Sequence, residues 1–301
     1  MSWQQLVATV QFFLDSFLGQ VAVAFGGIEI FGWRPLQFLA DWGQARIDEA
    51  SENYAAAMAA QALAGNAQVG ADVANIEIAI IKADRDADST GGESVSDPFD
   101  GAEANSLDAS KWDQTYFGSG SGSLGLTGTG SAHWDTNGGA PRGSRNRFLT
   151  ALDTDNQSIT LYLEGVPKSA GGTDPEIHLR LRGNVTNDSC VMAKIRRGEV
   201  EIGYEISGSY TRLGGVSSLS MSGNQTYQFK ARTSGGTHQF DLLQDNVPKL
   251  NRSSSTAGPT LYGASYRFPG FVSYAGTGFS FPFFYQLAPP DVLVFTAADI
   301  A

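Results

Sequence analysis

Apolar residues in the first third of the chain recur at steps of three and four, the spacing that places side chains on one face of a helix. Residues 1–33 carry one such stripe. Pro35 suits a first helical turn and begins a second predicted helix over residues 34–88, whose later part has the alternating four- and three-residue steps of a heptad seam. The predicted seam residues of the two segments are Leu6, Val10, Phe13, Phe17, Val69, Val73, Ile76 and Ile80.

A long amphipathic helix by itself leaves its apolar stripe in water, and the sequence holds too few helices for a closed monomeric bundle. We therefore predict a coiled-coil oligomerisation stem over residues 34–88, preceded by an attachment helix over residues 1–33. Ile and Val at both kinds of seam position favour three strands, so a homotrimer is expected. The alternatives are a two-helix hairpin folded at residues 26–32 and a helix docked on a larger partner. The stem prediction fails if the stripe packs against the chain's own C-terminal domain.

From residue 97 onward the apolar period changes to two, which predicts β-strands. Residues 176–182 (EIHLRLR) alternate between aliphatic side chains directed inward and His178, Arg180 and Arg182 directed outward. Many short strands of this kind, separated by turn signals without an intervening helix, predict an antiparallel β-sandwich, a jelly roll, over residues 97–301. The polar, acidic residues 89–96 are the predicted linker. The predicted fold class is therefore α + β and multidomain.

One hairpin can be registered from the sequence. A two-residue turn at Arg197-Gly198 would place Arg196 opposite Glu199 and Lys194 opposite Glu201. Both cross-strand pairs then have opposite charge, which favours this register.

Composition narrows the classes of partner and site. Lys and Arg number 20 against 31 Asp and Glu, a net charge of −11, and an acidic chain gains nothing from nucleic-acid phosphates, so no nucleic-acid partner is expected. A single cysteine, Cys190, excludes an intrachain disulfide. The first basic residue is Arg34, and Asp15 interrupts the N-terminal apolar run. We therefore expect neither a secretory signal peptide nor a membrane span.

Three glutamates, Glu199, Glu201 and Glu205, fall on one face of a predicted strand. Carboxylates placed in this way can perform acid/base chemistry on a glycoside. The segment reads EVEIGYE, however, and differs from the E-x-D-x-E type of cluster found in glycanases with jelly-roll sheets. The hairpin register also gives two of these glutamates a basic partner. We therefore interpret the cluster as structural and predict that the protein is not an enzyme.

Ligand-binding candidates are weaker. His133, His178 and His238 lack metal-like neighbours at ligand spacing, so no metal or cofactor is predicted. The alternative is a structural calcium ion at Asp97, Asp100 and Asp291, near the two ends of the β domain. Aromatic rings stack on sugar faces, and an outward row of bases can bind a ligand or form a solvated strand face. The candidate ligand-binding residues are His178, Arg180, Arg182, Trp134 and Tyr210.

The opening of the β domain, residues 97–134, carries the most specific sequence. It combines an acidic-Phe start, a Ser-Leu followed by Trp, a Gly/Ser-rich turn and a strand ending in SAHW. This stretch resembles the β domains of minor tail proteins from siphophages that infect actinobacteria, which look like concanavalin A-type sandwiches. Residues 227–246 and 289–299 are similar to the middle and closing strands of such sandwiches.

The resemblance implies a virion tail-tip protein that is made and assembled in the host cytoplasm. Its partners would be further copies of itself, other phage tail proteins and host cell-envelope glycan, which a lectin-like head would bind during adsorption. Three heads on one stem would gain avidity through effective concentration. The alternatives are a purely structural tail or baseplate protein and, less favoured, a glycan depolymerase.

Overall fold

The computed structural model describes residues 70–169, 171–255, 261–280 and 283–301. The predicted attachment helix and most of the predicted stem, including the seam residues Leu6, Val10, Phe13, Phe17 and Val69, lie outside the described residues. Residues 73–301 belong to one compact unit. Within the described part of the chain, one helix, α1, is present and ends at residue 90.

Seventeen strands form two sheets in the described residues. Their bounds are β1 Ser94–Asp97, β2 Trp112–Gly118, β3 Ser123–Leu126, β4 Ala132–Asp135, β5 Arg142–Phe148, β6 Gln157–Glu164, β7 Glu176–Gly183, β8 Cys190–Arg196, β9 Glu199–Ile206, β10 Ser209–Arg212, β11 Ser217–Ser218, β12 Gln225–Ser234, β13 Thr237–Gln244, β14 Val247–Ser254, β15 Phe268–Ser280, β16 Phe283–Leu287 and β17 Asp291–Asp299.

Every strand pair within the described residues is antiparallel. The first sheet has the order β14-β13-β12-β6-β17-β4-β3, with β1 paired to β17. The second has the order β10-β9-β8-β7-β15-β5-β2, with β11 paired to β9 and β16 to β15. The predicted antiparallel sandwich is confirmed.

The core lies between the sheets, where side chains of alternating residues meet. Its centre is an aromatic cluster in which the Trp112 ring centroid lies 5.0 Å from that of Phe148, 5.2 Å from Phe271 and 4.8 Å from Phe295. The Trp112 indole still needs a hydrogen-bond partner in this apolar setting. It donates from Nε1 to the buried Asp97 carboxylate at 2.7 Å.

Helix α1 packs on the outer face of the first sheet, against β6 and β17, which revises the described part of the predicted seam. Ile76 and Ile80 pack against an apolar cluster of the sandwich, and the other seam position in the described residues, Val73, is exposed. The heptad spacing correctly selected side chains on one helix face. In the part of the chain that the structure describes, however, their apolar neighbours belong to strands of the same chain. The apolar helix residues packed on the sandwich are Ile76, Ala79, Ile80, Ala83 and Ala87, which meet Tyr162, Leu293, Val294 and Ala298.

The predicted linker is also revised. Helix α1 continues to residue 90, and β1 begins at Ser94 and pairs with β17, so residues 94–96 belong to the sandwich. Between them the backbone passes so close to Asp299 that a Cβ on Gly92 would lie 2.5 Å from the Asp299 Cβ. The Asp299 carboxylate accepts hydrogen bonds from the backbone of Glu93 and Asp153, each at 2.8 Å. The Asp299 carboxylate of β17 therefore ties the connection between α1 and β1 to the loop that precedes β6.

The hairpin of β8 and β9 has the predicted register. Arg196 pairs with Glu199, and Lys194 pairs with Glu201. The closest carboxylate contact of Arg196 is nevertheless diagonal, because its Nη2 lies 3.0 Å from Glu201 and its Nη1 lies 4.0 Å from Glu199. The outer face of the second sheet is thus held by a network wider than single cross-strand pairs.

Candidate functional site

The outer face of the second sheet carries an ion-pair network around two buried glutamates. Glu201 contacts Arg196 at 3.0 Å and Arg212 at 3.4 Å. Glu205 contacts Arg145 at 3.1 Å and Arg180 at 4.0 Å. Both carboxylates lie between guanidinium groups, so arginines would have to move before either carboxylate could approach a sugar ring.

His178 lies on this face and is nearly buried. Its Nε2 is 2.7 Å from Oε2 of Glu176. Burial lowers the pKa of His178, although the contact with Glu176 acts in the opposite direction. Burial alone would raise the pKa of Glu176, but its hydrogen bond to His178 and nearby positive charges lower it overall. His178 and Glu176 are therefore bound to each other on the outer face of the sheet.

Arg180 and Tyr210 share this outer face with His178. Arg180 donates from Nη2 to the Asp188 carbonyl at 2.8 Å and from Nε to Cys190 Sγ at 3.0 Å. The Tyr210 ring lies with its centroid 3.5 Å from Lys194 Nζ, a cation–π contact. Burial, followed by the charge of Glu201, raises the pKa of Tyr210. These predicted ligand-binding side chains are thus brought onto one surface, where each already has partners.

Arg182 lies inside the sandwich, contrary to the predicted outward position. It has a positive φ of 52° and sits where the pairing of β7 with β15 shifts between Phe268 and Gly270. Such a bulge redirects a side chain out of strand alternation. Its guanidinium donates to the Asp155 carbonyl at 3.0 Å and to Thr233 Oγ1 at 2.8 Å. Burial lowers the pKa of Arg182 to about 10.

Trp134, the remaining predicted ligand-binding residue, is a core residue. Its ring is 1% exposed and packs edge-on against Tyr116 at a centroid distance of 6.5 Å. Its Nε1 donates to Gln286 Oε1 at 3.4 Å. Trp134 therefore offers no ring face to a ligand, since its position on β4 points toward the other sheet.

A groove opens at the end of the sandwich, immediately beside Trp134. It has a volume of about 840 Å³ and lies where β4, the segment after β6, the β8–β9 turn and β16 converge. We call it the end groove. Its lining residues include the buried Trp134 and, with polar or aromatic side chains of their own, His133, Asp135, Lys168, Arg197 and Tyr285.

The end groove holds a histidine between two carboxylates. His133 Nδ1 lies 2.8 Å from Asp291 Oδ1, and its Nε2 lies 4.0 Å from Asp135 Oδ1. The His133 and Asp135 side chains are 42% and 62% exposed, so both can reach a ligand. Lys168 and Arg197 line the same groove, so donors and acceptors of hydrogen bonds border one space.

Tyr285 supplies an aromatic surface to the same groove. It pairs with Gly278 across the β15–β16 hairpin, and a Cβ on Gly278 would lie 2.5 Å from the Tyr285 ring. The glycine therefore allows the ring to lie against the neighbouring strand. Sequence reasoning did not select Tyr285, Asp135, Lys168 or Arg197 as ligand-binding residues. A detectable signal was the aromatic run GFSFPFFYQ, residues 278–286.

The structural calcium alternative gains no support from these positions. Asp97 accepts hydrogen bonds from Trp112 and from the backbone of Phe99 at 3.0 Å, whereas Asp291 contacts His133. In the described ranges, no group of three or more His, Cys, Asp or Glu side chains has the arrangement of a metal site.

Among the described residues, no helix has both the length and the apolar character needed to cross a lipid bilayer.

A family model whose description is "Domain of unknown function (DUF7257)" matches residues 68–301. The match therefore includes α1 as well as both sheets. No curated protein matches the sequence.

Several solved structures are similar to this chain. An endo-1,3-beta-glucanase from Streptomyces sioyaensis is 13% identical, with a TM-score of 0.48 over 70% of this chain and 98% of that one. A beta-1,3-glucanase from Mycobacterium marinum is 10% identical, with a TM-score of 0.46 over 67% and 97%. The lectin UEA-II, complexed with galactose, is 11% identical, with a TM-score of 0.41 over 69% and 99%.

Proposed function

The chain belongs to the family described as "Domain of unknown function (DUF7257)", and we propose that its sandwich is a non-catalytic glycan-binding module whose ligand occupies the end groove. The observation that carries the proposal is the placement of Tyr285 beside His133 and Asp135 in one open groove. A sugar presents C–H groups on its ring face and hydroxyls at its edge. The C–H groups suit an aromatic surface, and the hydroxyls suit carboxylates and imidazole.

The size and exposure of the groove suit such a ligand. Its volume of about 840 Å³ lies within the range of small-molecule sites. Lys168 and Arg197 on its rim add donors for ring or hydroxyl oxygens. Its exposed polar groups can exchange water for hydroxyls without breaking the core.

The outer faces of the two sheets are less suitable. Helix α1 occupies the part of one of them that β6 and β17 form. On the other, Glu201 and Glu205 are bound by arginines, and a glycosidase needs one carboxyl group free to protonate the leaving oxygen and a second at the opposite side of the bond. We therefore infer binding without hydrolysis.

We further propose that the glycan belongs to a bacterial cell envelope and that the protein acts at a virion tail tip. This setting rests on the sequence resemblance of residues 97–134 to minor tail proteins. Residues N-terminal to the described part would attach the module to other tail proteins and to further copies of the chain, as a trimer. Each weak groove would then contribute to avidity.

The direct test is titration of the full chain with purified actinobacterial envelope polysaccharide, preceded by a glycan array. Wild-type protein should bind, and Tyr285→Ala should lower affinity at least tenfold because the ring surface is lost. Tyr262→Ala is the matched control, because Tyr262 is exposed but does not line the end groove. Absence of binding by the wild type would leave only the structural tail role.

A second variant tests the position of the ring. Gly278→Ala keeps Tyr285 but leaves no room for its ring against β15, so glycan affinity should fall. Gly215→Ala is the control, because a Cβ there meets no atom within 4 Å. The chain length of the polysaccharide should stay constant throughout. Its shortening by wild-type protein would establish a depolymerase and contradict the non-catalytic proposal.

A further inference from the structure

The end of the β15–β16 hairpin exposes four aromatic side chains, and only one of them, Tyr285, also lines the end groove. Phe283 and Phe284 are 73% and 66% exposed, the largest exposures among the described large hydrophobic residues. Phe279 and Tyr285 are also exposed. We call Phe279, Phe283, Phe284 and Tyr285 the aromatic patch. Single exposed apolar residues are ordinary, but a cluster of phenylalanines on one hairpin marks an interaction surface.

The aromatic patch is apolar on both faces of the hairpin. Phe279 pairs directly with Phe284, and their ring centroids are 5.0 Å apart, so these two rings share one face. Phe283 and Tyr285 pair with the adjacent residues of β15 and therefore point to the opposite face. A partner protein docked on one side would leave the other pair of rings in water. Immersion of the hairpin end in an apolar phase would cover both pairs.

The charge of the hairpin and of the whole chain indicates which kind of apolar phase the hairpin end suits. Residues 268–290 contain no Asp, Glu, Lys or Arg, although charged residues make up 17% of the chain. The hairpin thus has no cations to bind anionic headgroups, and the net charge of −11 disfavours approach to an anionic surface. Aromatic side chains are enriched where a bilayer meets water. These features complement an uncharged, zwitterionic lipid surface.

We propose that the end of the β15–β16 hairpin inserts into the interfacial region of a neutral lipid bilayer. Insertion would be shallow, because the apolar surface that the described residues form there comprises the last residues of two paired strands. It would bring the end groove, which Tyr285 also lines, to the level of the lipid headgroups. The inference goes beyond glycan binding, since it needs no sugar.

The experiment is flotation of the full chain with phosphatidylcholine vesicles, with and without added phosphatidylserine. Wild-type protein should float with phosphatidylcholine vesicles, and added phosphatidylserine should weaken binding. Raising the salt concentration should not release the protein, since no ion pairs hold it. The double variant F283S/F284S should lower the partition coefficient at least tenfold.

The matched control is V185S/V247S, which removes two exposed apolar side chains elsewhere on the sandwich. It should float as the wild type does. Thermal unfolding should be unchanged in both double variants, because all four side chains are exposed. Glycan titration of F283S/F284S in solution should match the wild type, so failure of insertion is distinguishable from failure of the proposed glycan site.

Three outcomes would overturn the inference. Wild-type protein could stay with the soluble fraction at all lipid concentrations, which would assign the aromatic patch to a protein partner. It could bind only vesicles that contain phosphatidylserine, which would indicate an electrostatic contact made elsewhere. Finally, F283S/F284S could float as well as the wild type.

Discussion

The two sheets of the sandwich protect their outer faces by different means. Helix α1 packs over β6 and β17 on the outer face of the first sheet through apolar contacts with residues such as Tyr162 and Val294. The outer face of the second sheet keeps its charged side chains and buries them against one another, as Glu201 with Arg196 and Glu205 with Arg145. One face is therefore protected by another element over β6 and β17, with an ion pair of Arg232 and Asp241 beside it, and the other is protected by its own ion pairs.

The difference is visible in the strands themselves. β17 and β7 are both buried along almost their whole length. β17 reads DVLVFTAAD and is apolar or small on both faces, as expected for a strand between a helix and the opposite sheet. β7 reads EIHLRLRG and alternates, although its polar side chains are also buried. The buried fraction of a residue thus does not distinguish an apolar side chain in the core from a polar side chain that is paired on the outer face.

The largest expected effect concerns the helix-covered face. Ile80→Asp places an unpaired charge against the sandwich, so the free energy of unfolding should fall by about 3 kcal/mol, as measured by chemical denaturation. Ile81→Asp is the matched control, because Ile81 is 65% exposed on the same helix; it should cost less than about 0.5 kcal/mol.

The same samples test the helix against the coiled-coil alternative. The mass of the intact assembly, measured for wild type and Ile80→Asp, should not differ if Ile80 contacts only its own sandwich. Two results together would show that the stripe meets other copies of the chain in solution. Ile80→Asp and Ile81→Asp would lose equal stability, and the assembly of Ile80→Asp would have a lower mass than that of the wild type.

A smaller effect is expected on the ion-paired face. Glu201→Gln removes the charge between Arg196 and Arg212, and should lower the free energy of unfolding by about 1.5 kcal/mol, because both arginines keep partial access to water. Glu199→Gln, at an exposed carboxylate 4.0 Å from Arg196, should cost about 0.5 kcal/mol or less. Glycan affinity should be unchanged in both. Lost affinity in Glu201→Gln would move the binding site from the end groove to this face.

The sequence predicts those parts of the fold that depend on local pattern. The alternation of β7 as far as Leu181 and the register of the β8–β9 hairpin follow from side-chain period and opposite charges, and both are confirmed. The contact surface of α1 is different, because a heptad spacing states only which side chains share a helix face. Ile76 and Ile80 satisfy it equally against another helix or against a sheet. Only the tertiary structure selects between them.

The candidate site is less predictable for the same reason. His133, Arg197 and Tyr285 meet in the end groove because strands distant in the sequence end at one edge of the sandwich. Arg182 leaves its expected face because of a bulge set by the pairing of β7 with β15. Neither the convergence at the end groove nor the bulge at Arg182 can be predicted from the local spacing of apolar residues. Composition does mark one feature, since the uncharged aromatic stretch around Tyr285 is unusual in an acidic chain.

The smallest predicted effect is a pH dependence that again separates the two faces. His178 is buried beside Glu176, Lys194 and Arg180, and burial lowers its pKa below the unfolded value near 6.5. Above about pH 7.5 the histidine is almost entirely neutral in both states and contributes almost no slope. Below it, the unfolded chain takes up a proton that the folded chain resists, so stability falls by at most about 1.4 kcal/mol per pH unit.

The measurement is the unfolding free energy of wild type and His178→Gln between pH 7.5 and about 5, above the range in which Glu176 begins to titrate when unfolded. The variant should lose part of the acid-side slope while its Gln amide can still donate to Glu176. His238→Gln is a useful parallel, because burial and the nearby Arg182 charge also lower the pKa of His238. The two reductions in slope should add, since His238 lies in the interior beside Arg182 and His178 lies on the outer face. An unchanged slope in His178→Gln would mean that water reaches this histidine, and that the ion-paired face is more open than its burial indicates.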